Sequence, residues 1–333
     1  VETVAIQGAG LPHFNPGDYY NNTDWTFIDD SDVFDVTRTF LTGREKFRMA
    51  FDTGKLPQTR ERRRIRGDYR ISVLDVYNKR TYQDTISLHS SNFDSHGFTV
   101  DPFFMLKPPN RDELFAEVPL RALSPKGLEN ILVTGLGISA HRDAMPVIRM
   151  LACLHNQGYA VGLISAEAVR SGKNYREVSI RPIQKELVKI GNLPERVLET
   201  KDNYPPSSEE IRKAVDTLPQ DFKGLEIVAW RMEEAVPLLK EKLGESDKME
   251  DQVAYAYVLG MYGYPEGWDV LRNAVDSYNG WDEGWHYTGM GQYGASCSRL
   301  DGLIIALGRC RREEALPVIH KKAEDLTMLS AFS

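Results

Sequence analysis

Apolar and polar positions follow successive rhythms along the chain. Over residues 32–52 the side chains Val33, Phe34, Val36, Phe40 and Phe47 recur at roughly helical spacing, ahead of a stop at Gly54. Residues 68–106 alternate instead, in DYRISVLDVY and HGFTVDPFF, as the two faces of a strand require. The stretch NILVTGLGISAHRDAMPVIRMLACLHNQGYAVG, residues 130–162, changes rhythm within itself. A short apolar run at 131–133 predicts a strand, Gly135 and Gly137 a turn, and the residues from Pro146 onward a helix. Residues 1–30, rich in Gly, Pro, Asn and Asp, predict irregular chain.

From residue 180 the spacing is helical. IRPIQKELVKIGNLPERVL predicts a helix with a stop at Gly191, and DNYPPSS, residues 202–208, a Pro-rich connection to a new helix at Glu209. The chain then repeats itself: RMEEAVPL at 231–238 returns as RREEALPV at 311–318, and VLGMYGYPEGWDVL at 258–271 returns as ALGRCRREEALPVI at 306–319. Such units resemble HEAT-type helix pairs, which bury their apolar faces only by stacking on neighbours. Between them lies SYNGWDEGWHYTGMGQYGAS, residues 277–296. Its Trp281, Trp285, His286 and Tyr287 suit either packing on another part of the molecule or stacking on a sugar ring.

With 333 residues the chain is long enough for two cores, and 41% hydrophobic content with a net charge of −7 describes a mildly acidic globular protein. No apolar run reaches the roughly 18 residues of a membrane span. The N-terminal VETVAIQGAG lacks the basic and apolar regions of a signal peptide, which leaves the compartment open; a soluble protein, cytoplasmic or periplasmic, is expected. Cys153, Cys297 and Cys310 are far apart, which indicates neither a disulfide framework nor a zinc site, and no metal is expected. The basic run RERRRIR, residues 60–66, is short and interrupted by Glu61; with the acidic total it argues against a nucleic-acid partner.

Two clusters are chemically capable. At the glycine turn the backbone permits close approach, and helix-start N–H groups favour an anion or an electron-rich carbonyl. Within that turn His141, Arg142 and Asp143 combine an imidazole suited to proton transfer near neutral pH with a charged pair; His141 serves equally well as a hydrogen-bonding cap of the turn. The arginines of 60–66 suit bidentate grip on a carboxylate or phosphate.

These stretches resemble, in order, the motifs of a bacterial family of FAD-dependent oxidoreductases. The family's RETRRIxGxY corresponds to residues 60–69, its DV…RxFxD to the segment holding Asp75, and its PLRAL to residues 119–123. Its NLLVxGRxISxxHxAxxxxR corresponds to Asn130, Leu132, Val133, Gly135, Ile138, Ser139, Ala144 and Arg149, followed by the small-residue helix of Gln157, Gly158, Ala160 and Gly162. The resemblance implies FAD as cofactor, with Gly135, Leu136, Gly137, Ser139, Pro146, Val147 and Arg149 at the flavin and Arg63, Arg64, His141, Arg142 and Asp143 as catalytic candidates. Here the histidine falls one residue before the family's usual place, and Leu136 stands where Arg is common.

The family also carries a GxGxxG turn that holds the FAD pyrophosphate. The nearest string here, Gly8, Ala9 and Gly10, has His13 at the third glycine position and Pro12 where a helix would begin. The chain therefore resembles the C-terminal part of a larger flavoprotein, expected by itself to hold little FAD and to be inactive without the missing N-terminal FAD-binding half. The expected fold is mixed α+β and α/β. Residues 1–172 form a partial FAD-binding and substrate domain, 173–208 a linker and helix, and 209–333 an all-α, HEAT-like helical domain. The implied reaction is hydride transfer to flavin from a small-molecule substrate, carbohydrates among the candidates. A non-enzymatic helical-repeat interaction module and a carbohydrate-active lyase are the other readings.

Overall fold

The computed structural model describes residues 64–93, 99, 101–109, 113–280, 282, 285–286 and 296–325, with isolated positions between 34 and 45. Those isolated positions, Phe34, Thr37, Arg38, Leu41 and Glu45, are helical. Expectations for residues 1–30, and for Arg63, Trp281 and Tyr287, lie outside the described residues.

Alternation in residues 68–106 does not produce a continuous strand. Helix α1 (Val73–Tyr77) interrupts it, because the Ser72 hydroxyl accepts from the Asp75 N–H at 3.1 Å while the Asp75 carboxylate accepts from the Ser72 N–H at 2.7 Å. That reciprocal cap stabilises a helical start locally, and the pattern of apolar residues is satisfied by burying Val73 and Val76 on one side. Strand β1 (Thr85–Ser91) follows, then helix α2 (Pro102–Leu106), then strand β2 (Leu114–Pro119). Asp101 starts α2 by accepting from the Phe103 N–H at 3.0 Å, with Pro102 at the first position, where its missing N–H costs nothing. The two strands pair antiparallel, Ser91 opposite Leu114 and Ser87 opposite Val118.

Residues 131–133 are not a strand. Val133 donates its N–H to the Leu123 carbonyl at 2.9 Å, but Asn130 is left-handed (φ 55°) and Ile131 is 47% exposed, so the run has neither a ladder nor a buried face. The helix expected from Pro146 is also divided. Helix α3 (Met145–Ile148) ends at Arg149, Met150 is extended, and helix α4 (Leu151–Ser171) begins anew. Helix α3 packs on both strands and α4 on β1. Helix α5 (Ile180–Lys189) also covers β1: the buried Gln184 amide donates to the carbonyls of Gln83 and Thr85.

The remainder is helical. Helices α6 (Ser208–Thr217), α7 (Leu225–Trp230), α8 (Met232–Glu245), α9 (Met249–Met261) and α10 (Trp268–Ser277) precede a two-residue ladder, β3 (Trp285–His286) with β4 (Ser296–Cys297). Helices α11 (Arg299–Arg309) and α12 (Ala315–Asp325) follow. The sequence match of 258–271 with 306–319 aligns α9–turn–α10 with α11–turn–α12, and the aligned positions Gly263 (φ 88°) and Arg311 (φ 55°) are both left-handed. Helix α9 is buried along most of its length, packed against α8, α10 and α11.

Buried apolar residues from Ile71 to Ala315 form one contiguous cluster rather than two cores. Specific bonds fasten the later helices to α1 and α2: Asn78 Nδ2, at the end of α1, donates to the Glu226 carbonyl at 2.8 Å, Trp230 Nε1 to Asp75 Oδ1 at 3.1 Å, and the Tyr257 hydroxyl to the Met105 carbonyl at 2.8 Å. No helix among the described residues is long and apolar enough to cross a membrane.

Candidate functional site

Three segments distant in sequence meet edge to edge. Ile65 donates to the Gly137 carbonyl at 2.9 Å, Ile71 to that of Ser139 at 3.0 Å, and His141 to that of Ile71 at 2.6 Å, which lays residues 65–71 alongside 137–141. Residues 121–125 complete the seam: Tyr69 donates to the Arg121 carbonyl at 3.1 Å, Asp68 to Ser124 at 2.9 Å, and Ser139 to Ala122 at 2.9 Å. Gly67 sits where all three converge. A Cβ there would lie 2.7 Å from Ser139 Cβ, 2.9 Å from the Tyr69 oxygen and 3.0 Å from the Arg121 oxygen, so only glycine admits this approach.

A cleft of about 620 Å³ opens along the seam. Its walls carry the cations Arg64, Arg66, Arg70 and Lys126, and its lining includes Ile65, Gly67, Ser139 and Ala140. Among the described residues no acidic side chain lines it. Gly135 to Gly137 form a single 3-10 turn beside it, with Gly135 left-handed at φ 75°. The Gly135 N–H donates to Gln157 Oε1 of α4 at 2.8 Å, and the Gln157 Nε2 amide is buried with no hydrogen-bond partner among the described residues.

The other sequence-predicted group stands at the end of this segment. His141 caps the turn at 142–144: its Nδ1 accepts from the Asp143 N–H at 3.2 Å. The neutral ring therefore carries its proton on Nε2, where it donates rather than accepts. Asp143, buried, pairs with Arg142 at 3.0 Å and accepts the Asp101 N–H at 2.6 Å. His141 Nδ1 lies 4.0 Å from Asp101 Oδ2. Burial raises the Asp101 carboxyl above the usual carboxylate range, against the Phe103 N–H bond and the charge of Arg309, which favour the ionised form.

The structure thus gathers Arg64, Gly135, Leu136, Gly137, Ser139, His141, Arg142 and Asp143 on one continuous segment pair. It does not gather Pro146 and Val147, which are buried in α3. With only four residues, α3 offers no effective helix-start anion site. Arg149 ends α3 with its side chain nearly buried. Arg70, Lys126 and Asp101 escaped the sequence reading, and Arg66 figures there only as one of the arginines of 60–66. Asp101 was signalled by the Asp-Pro start of α2; Lys126 has no local signal, since only the Lys126 N–H bond to the Arg66 carbonyl, 2.8 Å, brings it to the cleft. No group of His, Cys, Asp or Glu suited to a metal ion occurs among the described residues.

The second motif's DV…RxFxD part proves to be a brace beside the seam. Arg80 lies over the rings of Tyr69, Tyr82 and Tyr204, 4.3 to 5.0 Å from their centroids, and pairs with Asp75 at 3.3 Å and with Asp202 at 3.1 Å. Tyr69 donates to Asp75 at 2.6 Å. Asp84 holds Arg121 of the 119–123 motif at 3.0 Å.

FAD, as the group these motifs imply, finds compatible partners here. An open, cation-lined cleft, a glycine turn and an unmatched buried amide next to it suit the electron-rich edge of a flavin ring. No curated protein and no solved structure matches the chain. The family model described as FAD dependent oxidoreductase matches residues 18–187, just over half of the chain and the whole of the seam. This chain belongs to the FAD dependent oxidoreductase family.

Proposed function

We propose that this chain forms the ring and substrate side of an FAD-dependent oxidoreductase that takes hydride from a small molecule. The observation that carries the reading is the seam itself: the three segments bearing the family motifs are joined by backbone bonds around one open cleft. Bound there, FAD would supply the two-electron acceptor. Gly135, Leu136 and Gly137 would face the ring, and Ser139 and Arg64 would hold it or the substrate from the cleft. His141 offers Nε2–H as a hydrogen-bond donor to a substrate oxygen, and Asp143 braces Arg142 and the backbone at Asp101. Pro146 and Val147, buried in α3, would act only through the packing of that helix on the strands and on the 142–144 turn.

Helix α4 supports the further reading that a dinucleotide-binding half docks on this chain. Its Leu151 and Val169 are 75% and 84% exposed, and a Cβ at Gly158 or Gly162 would meet nothing within 4 Å among the described residues, which leaves a small-residue apolar face open there. The stacked helix pairs from residue 208 onward serve as a HEAT-like scaffold behind the site.

Titration with FAD, FMN and lumiflavin, followed by flavin absorbance and fluorescence, tests the ring site. Because this chain would supply the ring contacts and another segment the adenosine contacts, all three should bind weakly and within a few-fold of one another. No spectral change at saturating flavin would sink the reading; micromolar binding of FAD alone would show that this chain holds the dinucleotide end as well.

A further inference from the structure

We propose that the cleft along the seam docks an oxyanion group of the substrate, a phosphate ester or a carboxylate, so that the molecule oxidised here is an anion rather than a neutral sugar. The inference names the substrate class of the site proposed above and rests on that reading for the word substrate; the anion site itself rests on geometry alone.

Three arginines of the neighbouring segments have carboxylate partners. Arg80 pairs with Asp75 and Asp202, Arg121 with Asp84, and Arg176 with Asp68. In the cleft the side chains of Arg66, Arg70 and Lys126 form no ion pair among the described residues. Asp68 lies between the two arginines in sequence, yet its carboxylate is turned to Arg176 Nε at 2.8 Å and does not line the cleft. Holding like charges together without a counter-charge is unfavourable by itself. The fold nonetheless fixes them: the Lys126 N–H bond to the Arg66 carbonyl and the Gly67 to Pro125 bridge set both walls at one level. A compact anion between them would relieve the repulsion and accept the arginines' paired N–H donors. Neutral hydroxyls would leave that charge unanswered.

Arg66, Arg70 and Lys126 are exposed, so their replacement by Gln leaves the core untouched. Calorimetric titration of the full chain with inorganic phosphate and with pyrophosphate, at low and moderate salt, should give saturable binding. Arg66→Gln and Arg70→Gln should each weaken it about tenfold, a loss of about 1.4 kcal/mol. The distant exposed substitution Lys213→Gln should leave it unchanged. Absence of saturable binding, or binding equal in the Arg variants, would overturn the proposal. Phosphate that still binds beside lumiflavin supports the substrate assignment. Phosphate displaced by FMN but not by lumiflavin assigns the cleft to the cofactor's own phosphate and overturns it, as does tighter binding of a DNA duplex than of pyrophosphate. A chain that binds phosphate and no flavin keeps the anion site and fails the oxidoreductase reading instead.

Discussion

Single residues decide whether the seam closes. Gly67→Ala places a Cβ 2.7 Å from Ser139 Cβ and against two carbonyl oxygens, none of which is the far end of a flexible side chain. The segments must separate, and the expected cost is about 1–3 kcal/mol, read as a lowered midpoint in urea together with weaker phosphate binding. An unchanged midpoint would mean that the segments do not touch there. His89, buried in β1 with its Nε2 3.0 Å from the Ser87 hydroxyl, acts through pH. Burial pushes its imidazole down from 6.5 to about 4, so the folded protein refuses a proton that the unfolded chain accepts. Its contribution is complete above pH 6.5 and is lost as pH falls toward 4, about 3 kcal/mol at most. Asp101 works in the opposite direction, because burial disfavours its ionised form and protonation on acidification relieves that cost. Unfolding measured at pH 7 and pH 4.5 should therefore show a smaller acid loss in His89→Gln than in the parent protein, by about 2 kcal/mol.

Among the elements, Arg80 joins α1 to the connection before α6. Its guanidinium bridges Asp75, buried in α1, and Asp202, and it lies between the Tyr69, Tyr82 and Tyr204 rings. Arg80→Met leaves a buried carboxylate without its cation, a change that costs about 3–5 kcal/mol. The lower end is expected, because Asp75 keeps the Tyr69 hydroxyl, the Ser72 N–H and the Trp230 Nε1–H as donors. Chemical denaturation and faster proteolysis around residues 200–208 would report it; a loss below about 1 kcal/mol would place Arg80 among weak surface pairs. This brace also shows what the sequence could disclose. The motif residues Tyr69, Asp75 and Arg121 and the glycine turn were legible as a set, and the structure joins them. Helices α1 and α2 were not, because alternating apolar positions suited a strand while a Ser72–Asp75 cap and an Asp101–Pro102 start favoured helix locally. The cleft's Arg70 and Lys126 stayed hidden because backbone pairing between segments about 50 residues or more apart, not local pattern, sets them side by side.

At the scale of the molecule, the helical tail and the flavin-family segment share one hydrophobic cluster, and this makes the tail a structural condition of the site. Helix α7 packs on α1 and α2, and α9 on α2. Removing residues 207–333 would strip the Trp230 donor from Asp75, the Glu226 acceptor from Asn78 and the Tyr257 donor from the Met105 carbonyl, and would expose the apolar faces of α1 and α2 at once. The seam residues 65–71 lead directly into α1, so loosening α1 loosens one wall of the cleft. A chain ending at Pro206 is therefore expected to unfold without a sharp transition, to bind a hydrophobic dye, and to lose saturable phosphate binding. The same helices supplied as a separate polypeptide should restore part of that binding if docking, rather than covalent continuity, is what holds α1. Cooperative unfolding of the truncated chain with its phosphate affinity intact would instead make the seam self-sufficient and the tail an independent appendage.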